Sequence, residues 1–552
     1  MKRDLAALSN SEFDLVIIGG GVYGLATAWD AAMRGLKVAL IERGDFGHAT
    51  SSASLKLVHG GLRYLQHLDF VRMRISILER RRMQYMAPHL VSPLEFVIPC
   101  YGHAIRGPEF MWCGLTLNDI LSFDRNSGLD PQKRIPGGRI ISAAECLNRV
   151  PGISKDGLTG GAVFYDAQMY NSERLSLSFG LSAAAESATI ANYCEATGFV
   201  IRNSEIKAVK VVDQLSGRNF EIRGTLFVNM TGPWSDITVQ WLKTAPPDRK
   251  VLRSKGVQLI TRSIGKATAF AIESRQKDST ALIARGGRNY FVTPWRGLSF
   301  IGTTDALFED DPDRFAITKA DVEDFRNEIN DIFPAAELKP EDVKFWVGGL
   351  RPVGDADTDP RVAKASHKYT IFDHRSDGSA DNLISVIGVK YTISRQIAQQ
   401  TVNLVFDRLG IPCPRCRTGD SRLWGGEIDN VAAFQKECLE KVPDPVVAEH
   451  LGRNYGTKVA AVLDVARKDS SFAGKIAGSS EALRAEVVYA VREEMALKLT
   501  DATLRRTDLG SAGHPGRPAL EDCAAIMAKE CGWSNQRKAQ ELAEAEAVYL
   551  LK

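Results

Sequence analysis

The sequence predicts an α/β fold in three parts: a Rossmann-like unit shaped for a dinucleotide, a middle region of antiparallel strands, and a helical C-terminal domain. Three observations predict it. An apolar run at residues 13–18 meets a glycine-rich turn and then an amphipathic helix. Apolar alternation recurs in the middle of the chain, in FVTPW from Phe291 and LSFIGTTD from Leu298. Past Pro412, prolines and glycines run through Gly426 and then give way to helical patterns.

The first unit reads strand, tight turn, helix. FDLVII (13–18) runs into Gly19-Gly20-Gly21-Val22-Tyr23-Gly24, after which Leu25, Ala28, Trp29, Ala32 and Met33 recur at helical spacing. A second apolar run, KVALI (37–41), ends in Glu42, 18 positions after Gly24, which completes a βαβ unit of the expected size. Gly19 permits the turn, Gly21 lets backbone approach a pyrophosphate without a Cβ, and Gly24 lets the helix pack on the strand. The helix amides then face the phosphates, and Glu42 is placed to accept from ribose hydroxyls. The chain continues as RGDFGHATSSASLKLVHGGLRYL, a Gly/Ser-rich stretch in place of another regular repeat. An extended segment of that kind can line a long cofactor with amides and hydroxyls.

Phe333-Pro334 ends the helix-like ADVEDFRNEINDIF. Beyond Gly426, VVAEHLGRNYGTKVAAVLDVA and EVVYAVREEMALKL carry helical periodicity. The expected division is a discontinuous nucleotide-binding domain of 12–105 with 160–250 and 345–412, a substrate-binding domain of 106–159 with 251–344, and a C-terminal domain of 425–552.

Composition narrows the function classes. Hydrophobic residues make up 44% and charged residues 25% of 552, which excludes disordered, collagen-like and coiled-coil chains. Lys plus Arg number 70 against 67 Asp plus Glu, too near balance to announce a nucleic-acid partner. The longest stretch free of those four residues, 15–29, is shorter than the roughly 20 apolar residues of a spanning helix. No secretory signal is expected at MKRDLAALSNSEFDLV. The nine cysteines include one CxxC, Cys413 and Cys416, with no second pair, so reduced thiols in a cytoplasmic protein are expected and no metal.

The long stretch from Asp14 to Phe70 is specific beyond the dinucleotide turn, because TSSASLKL followed by HGGLRYL is not demanded by that fold. With VNMTGPWSD from Val228, FVTPWRGLSFIGTTD from Phe291, GGLRPVGD from Gly348, SHKYTIFD from Ser366 and VIGVKYTISR from Val386, it resembles the FAD-dependent glycerol-3-phosphate dehydrogenases. LTDATLRRTDLG (499–510) extends the likeness into the tail. The resemblance implies an FAD-binding domain of the glutathione-reductase/amino-acid-oxidase type, an antiparallel-sheet substrate domain and a helical C-terminal domain. It also implies FAD held non-covalently, oxidation of glycerol 3-phosphate to dihydroxyacetone phosphate, and electrons passed to quinone.

By the same resemblance, Ser52, Ser54 and the Gly60-Gly61 pair run beside the flavin, and Asn229, Thr231 and Gly232 form a second dinucleotide segment. Gly388, Val389 and Lys390 match the turn near the flavin's pyrimidine edge, and Tyr64 a position near substrate. A phosphate is best held by fixed cations, for which Arg351 in GGLRP is the first candidate and Lys390 the second.

Two departures bear on the chemistry. Gln258 stands where the family usually has a His, and His367-Lys368 precede Tyr369-Thr370 where it usually has an Arg. An amide cannot deprotonate an alcohol at neutral pH, so His367, His59 and Lys390 are the candidate catalytic groups, with Gln258 kept as a substrate contact. The swap also admits another polyol phosphate, such as an erythritol phosphate, as substrate.

RMRISILERRRM (72–83) crowds five arginines, and PEFMWCGLTLNDIL (108–121) is largely uncharged, so each suits a bilayer surface. The expected partners are a small phosphorylated polyol, a quinone or other electron acceptor, a membrane met peripherally on the inner face of the cytoplasmic membrane, and a second copy of the chain.

Overall fold

The structure, a computed structural model, describes residues 1–242, 251–277, 287–353, 369–388 and 390–551. His367, Lys368 and Val389 therefore lie outside the described residues.

The first sheet has a parallel core in the order Leu383–Ile387, Asn219–Asn229, Glu12–Ile18, Val38–Ile41 and Thr189–Ala191. Parallel strands are covered on both faces and so read as unbroken apolar runs, which is the pattern of residues 13–18 and 37–41. Leu15, Val16, Ile17, Ala39 and Leu40 are accordingly fully buried. Thr370–Asp373 adds an antiparallel edge, and the hairpin Cys194–Arg202 with Glu205–Asp213 extends the long strand Asn219–Asn229. Helix Val22–Met33 packs against helices Ser172–Ala185 and Ser394–Leu409. Its apolar positions Leu25, Ala28, Trp29 and Ala32 are buried, and Trp29 meets Phe179 edge-on with ring centroids 5.8 Å apart. Truncating an aromatic packed in this way costs about 3–5 kcal/mol.

The second sheet runs Ala306–Phe308, Leu252–Arg262, Leu298–Gly302, Gly287–Trp295, Ala269–Lys277, Val91–Tyr101, Leu158–Met169 and Leu57–Val58. Val343–Val353 pairs with Leu252–Arg262 over most of its length. Among the described residues every pairing in this sheet is antiparallel except that of Val91–Tyr101 with Ala269–Lys277, so the sheet is mixed. Val91–Tyr101, Leu158–Met169 and Val343–Val353 fall largely within segments that the sequence groups with the nucleotide-binding domain, yet their hydrogen bonds run into this second sheet. Period-two alternation states which residues face inward and is silent on which sheet a strand joins.

Thr318 and Asp321 form a capping box at the start of helix Lys319–Ile332, and the helix stops ahead of Pro334 as its sequence requires. The C-terminal helices Val431–Lys441, Pro445–Tyr455, Val459–Lys468, Arg484–Glu494, Arg517–Cys531 and Asn535–Ala547 close on their own core, centred on Val462, Val487, Val488, Leu520 and Met527. The single helical pattern of residues 446–466 is two helices, because the chain turns at Gly456, where φ is +54°.

A buried ion cluster fastens this domain to the nucleotide-binding unit. Asp45, three residues past Glu42, takes both terminal nitrogens of Arg506 at 2.8 Å and is also paired with Arg505. Burial alone would raise the Asp45 carboxyl, but the two guanidiniums outweigh it and hold the group well below the usual carboxylate range. Arg505 reaches on to Asp501 at 2.8 Å, and Asp501 accepts from the Tyr193 hydroxyl at 2.6 Å. Removing one partner strands the other charge in the interior, so Arg506→Met is expected to cost about 3–5 kcal/mol. Urea unfolding of the whole chain beside wild type checks it: an unchanged midpoint contradicts the clamp.

Candidate active site

The carboxyl ends of the parallel strands form one wall of a cavity of about 520 Å³. Ile18, Ile41, Met230 and Val386 mark those ends, and the second sheet supplies the facing wall through Leu57, Gln258, Phe291, Thr303 and Arg351. Ligands of open α/β sheets bind at this edge, because strand ends and helix N-termini converge there.

The glycine turn is built as its spacing requires. A Cβ on Gly24 would lie 1.9 Å from the Gly19 carbonyl oxygen, so only glycine lets the helix seat against the strand. Gly19 itself has φ +110°. A Cβ on Gly21 would meet only the Ser51 hydroxyl, at 3.1 Å, which leaves the space over the turn open to a ligand. Ser51 accepts from the Val22 amide at 3.0 Å, at the position where a helix N-terminus favours an anion. Glu42 lines the cavity and holds the turn as well: Oε2 accepts from the Gly20 amide at 2.6 Å and Oε1 from the Gly44 amide at 2.8 Å. His48 Nδ1 stands 3.5 Å from Oε1, and Oε2 keeps a second acceptor site suited to a ribose hydroxyl. Beside it, Arg43 lies over the Trp234 ring at 4.2 Å, and both donate to Asp313 at 2.8 Å.

The same cavity also carries cationic groups. Arg63, Arg351, Lys390 and His59 all line it. Arg351 Nη2 pairs with the Asp305 carboxylate at 2.5 Å, and its Nε has no hydrogen-bond partner among the described residues. Gln258 Oε1 and Thr303 Oγ1 are likewise buried without a partner there. Buried donors and acceptors are almost always satisfied, so three such groups around one cavity mark a place for a polar ligand. Lys390 donates to Ser76 Oγ at 2.9 Å and lies 4.9 Å from the centre of the Tyr64 ring. Burial pushes its amine down to about 8, which leaves it mainly charged at neutral pH. The Tyr23 hydroxyl donates to the Lys390 carbonyl at 2.7 Å and accepts from the Lys390 amide at 3.2 Å, fixing the turn that carries the lysine.

Of the residues singled out in the sequence, Gly19, Gly21, Glu42, Ser54, His59, Thr231, Gly232, Gln258, Arg351, Gly388 and Lys390 line this one cavity. Others stand behind it. Ser52 donates to the Ala49 carbonyl at 2.9 Å and closes a local turn. The Gly60 amide donates to buried Asp166, Gly61 turns the chain at φ +86°, and Tyr64 backs Lys390. Asn229 pins Thr231, taking its amide at 3.2 Å and its hydroxyl at 2.7 Å. The sequence reading missed Tyr23, Ser51, Arg63 and Asp166. For Asp166 a signal was present: a lone carboxylate inside the apolar strand GGAVFYDAQM.

The sequence over residues 14–388 matches the model of the FAD dependent oxidoreductase family, and residues 416–538 match that of the C-terminal domain of alpha-glycerophosphate oxidase. The chain belongs to the FAD dependent oxidoreductase family. It is similar to the glycerol-3-phosphate dehydrogenase of Synechocystis sp., 33% identical over 97% of this chain and 96% of that one. It is also similar to the aerobic glycerol-3-phosphate dehydrogenase of Staphylococcus aureus, 31% identical over 91% of this chain and 87% of the relative. Among solved structures, the glycerol-3-phosphate dehydrogenase of Bacillus halodurans complexed with FAD is similar with a TM-score of 0.77, at 25% identity over 99% of this chain and 96% of that chain.

The cofactor of this oxidoreductase is FAD, and the residues present fit it: a glycine turn open above Gly21, a carboxylate beside it, and buried polar atoms without partners among the described residues. A Cβ on Gly388 would fall 2.1 Å from the Tyr23 ring. Gly388→Ala must therefore push Tyr23 off its bonds to Lys390, a strain of about 1–3 kcal/mol, and FAD affinity is expected to fall roughly ten- to a hundredfold. Titration of the stripped protein with FAD, followed by visible absorbance, checks this.

Proposed function

We propose that this oxidoreductase oxidises glycerol 3-phosphate to dihydroxyacetone phosphate and delivers the electrons to a membrane quinone. The observation that carries the reading is that Arg351, Arg63 and Lys390 line the same cavity as the imidazole of His59 and the glycine turn. Relatives that cover nearly the whole chain and carry that activity in their names support the same substrate. The chemistry that FAD supplies when bound is acceptance of a hydride from the alcohol carbon.

The chain's own residues do the rest. Arg351 offers a planar fork with an Nε not yet engaged, suited to a phosphate dianion. Lys390 adds a buried positive charge that favours anionic groups there. His59 takes the hydroxyl proton through Nε2 while Nδ1 faces a carboxylate 3.3 Å away. Gln258, next to Ala53 at 3.3 Å, presents an acceptor to a substrate hydroxyl. That amide oxygen, without a partner among the described residues, favours a second reading, in which the substrate is a polyol phosphate with a further hydroxyl, such as an erythritol phosphate.

The acceptor reading draws on the surface beside the cavity. Phe123 is 81% exposed and Val71 72%, with Leu68, Trp112 and Ile120 also largely in solvent. Arg74 links their two segments, donating to the Leu121 carbonyl at 3.0 Å and lying 5.1 Å from the centre of the Phe123 ring. The arginines of residues 72–82 are not a free basic face, since Arg72, Arg74, Arg80, Arg81 and Arg82 all pair with carboxylates. The apolar patch therefore supplies the contact with the inner face of the cytoplasmic membrane. Among the described residues no helix is long and apolar enough to cross a membrane.

Anaerobic mixing with glycerol 3-phosphate is expected to bleach the visible absorbance. Free glycerol is not, and bleaching by glycerol alone contradicts the anion pocket. Arg351→Met should raise KM by ten- to a hundredfold, as about 1.5–3 kcal/mol of charged hydrogen bonding is lost. For the surface, Val71→Ser with Ile120→Ser and Phe123→Ser should abolish co-sedimentation with anionic vesicles and leave activity with a soluble acceptor intact. Equal sedimentation of variant and wild type contradicts the membrane face.

A further inference from the structure

Asp166 is buried in strand Leu158–Met169, and neither FAD nor the substrate contacts proposed above call on it. Its Oδ2 lies 3.3 Å from His59 Nδ1. Its Oδ1 accepts from the Gly60 amide and from Arg80, which is itself buried and also donates to the Tyr165 carbonyl at 3.0 Å. We propose that Asp166 is the positioning residue of the reaction, holding His59 in the tautomer and orientation that leave Nε2 open to the substrate hydroxyl. This rests on His59 being the proton acceptor.

The geometry argues for it in three steps. A carboxylate with Arg80 and a backbone amide on one oxygen stays ionised in the interior: burial opposes ionisation, and His59, Arg80 and Gly60 together hold the Asp166 carboxyl below its ordinary value. An ionised acid only accepts hydrogen bonds, so Nδ1 of His59 must carry the hydrogen and Nε2 the lone pair. The main chain that carries the ring is fixed beside this carboxylate, because the His59 amide is tied to Thr392 Oγ1 at 3.2 Å and the next amide, Gly60, donates to Asp166 itself. As the alcohol is oxidised, the O–H bond breaks and its proton passes to Nε2, while the hydride leaves the carbon for bound FAD. The imidazolium that results lies beside a negative charge that is already in place. Arg80 and Lys390 interact with the same carboxylate, so without Asp166 a proton on His59 faces those two cations with the balancing charge removed.

Asp166→Asn tests this on the holoenzyme. An asparagine that keeps its oxygen toward Arg80 and Gly60 turns its NH2 to His59 and forces the wrong tautomer. The expected result is a fall in kcat on the order of a hundredfold or more, with KM little changed and FAD retained. A readout independent of turnover is the pH dependence of His59 acylation by diethyl pyrocarbonate, read by peptide mass spectrometry. Its midpoint should move to lower pH in the variant, which a merely structural role for Asp166 would not produce. Should the asparagine variant lose FAD, Asp166→Glu keeps the charge and shifts it by one methylene. It should lower kcat and leave the acylation midpoint near that of wild type. His59→Gln, measured alongside, separates the two readings. If it turns over normally, His59 is not the base. If it is inactive while Asp166→Asn keeps both kcat and the acylation midpoint, the positioning role of Asp166 alone is overturned.

Discussion

The contact of Gly24 with the Gly19 carbonyl sets everything downstream. Any side chain at Gly24 would meet that oxygen at bonding distance, so the first helix can lie on the first strand only through glycine. Seated there, the helix points its N-terminus over the carboxyl ends of the parallel strands, where Ile18, Ile41, Met230 and Val386 end side by side. The FAD cavity is the space this seating leaves. Glu42 reinforces it by accepting from the turn amide of Gly20, so one residue both lines the cavity and locks the glycine turn.

Charge is distributed by a consistent rule. Away from the cavity, buried cations are matched closely: Arg506 and Arg505 on Asp45, Arg174 on Glu494 at 2.6 Å, and Arg395 on Glu79 at 2.6 and 2.7 Å. Such pairs contribute little net stability and heavily penalise any packing that separates them, so the pairs of Asp45 and Arg174 define how the C-terminal domain docks. At the cavity the matching is left incomplete. Arg351 pairs with Asp305 at 2.5 Å while its Nε has no partner among the described residues, and the Lys390 amine rests against a serine and an aromatic ring.

That Gly19, Gly21 and Glu42 meet at one cavity was legible because these parts are local. Gly19, Gly21, Gly24 and Glu42 lie within one βαβ unit, and each residue type is dictated by backbone sterics or a single hydrogen bond. Arg351 and Lys390 were legible through short matched segments, and both reach the cavity. Ser52 was read with Ser54 from the same run, yet its hydroxyl closes a turn and only Ser54 lines the cavity. A hydroxyl's direction depends on local φ and ψ, which residue identity leaves free. The arginines of residues 72–82 read as a basic face, but their carboxylate partners come from as far along the chain as Asp124 and Asp166.

The sequence by itself determined the Rossmann-like turn, the helical tail and the chemical types available for binding, because each follows from short-range periodicity, glycine sterics or the ionisation of a side chain. Only the tertiary structure decided which strands share a sheet, how Asp45 clamps the C-terminal domain, and that Asp166, 107 residues from His59, stands behind its ring. Those are pairings between segments far apart in the chain. Strand alternation fixes a face and not a partner, and a buried charge finds its counterion only when the two sheets close on each other.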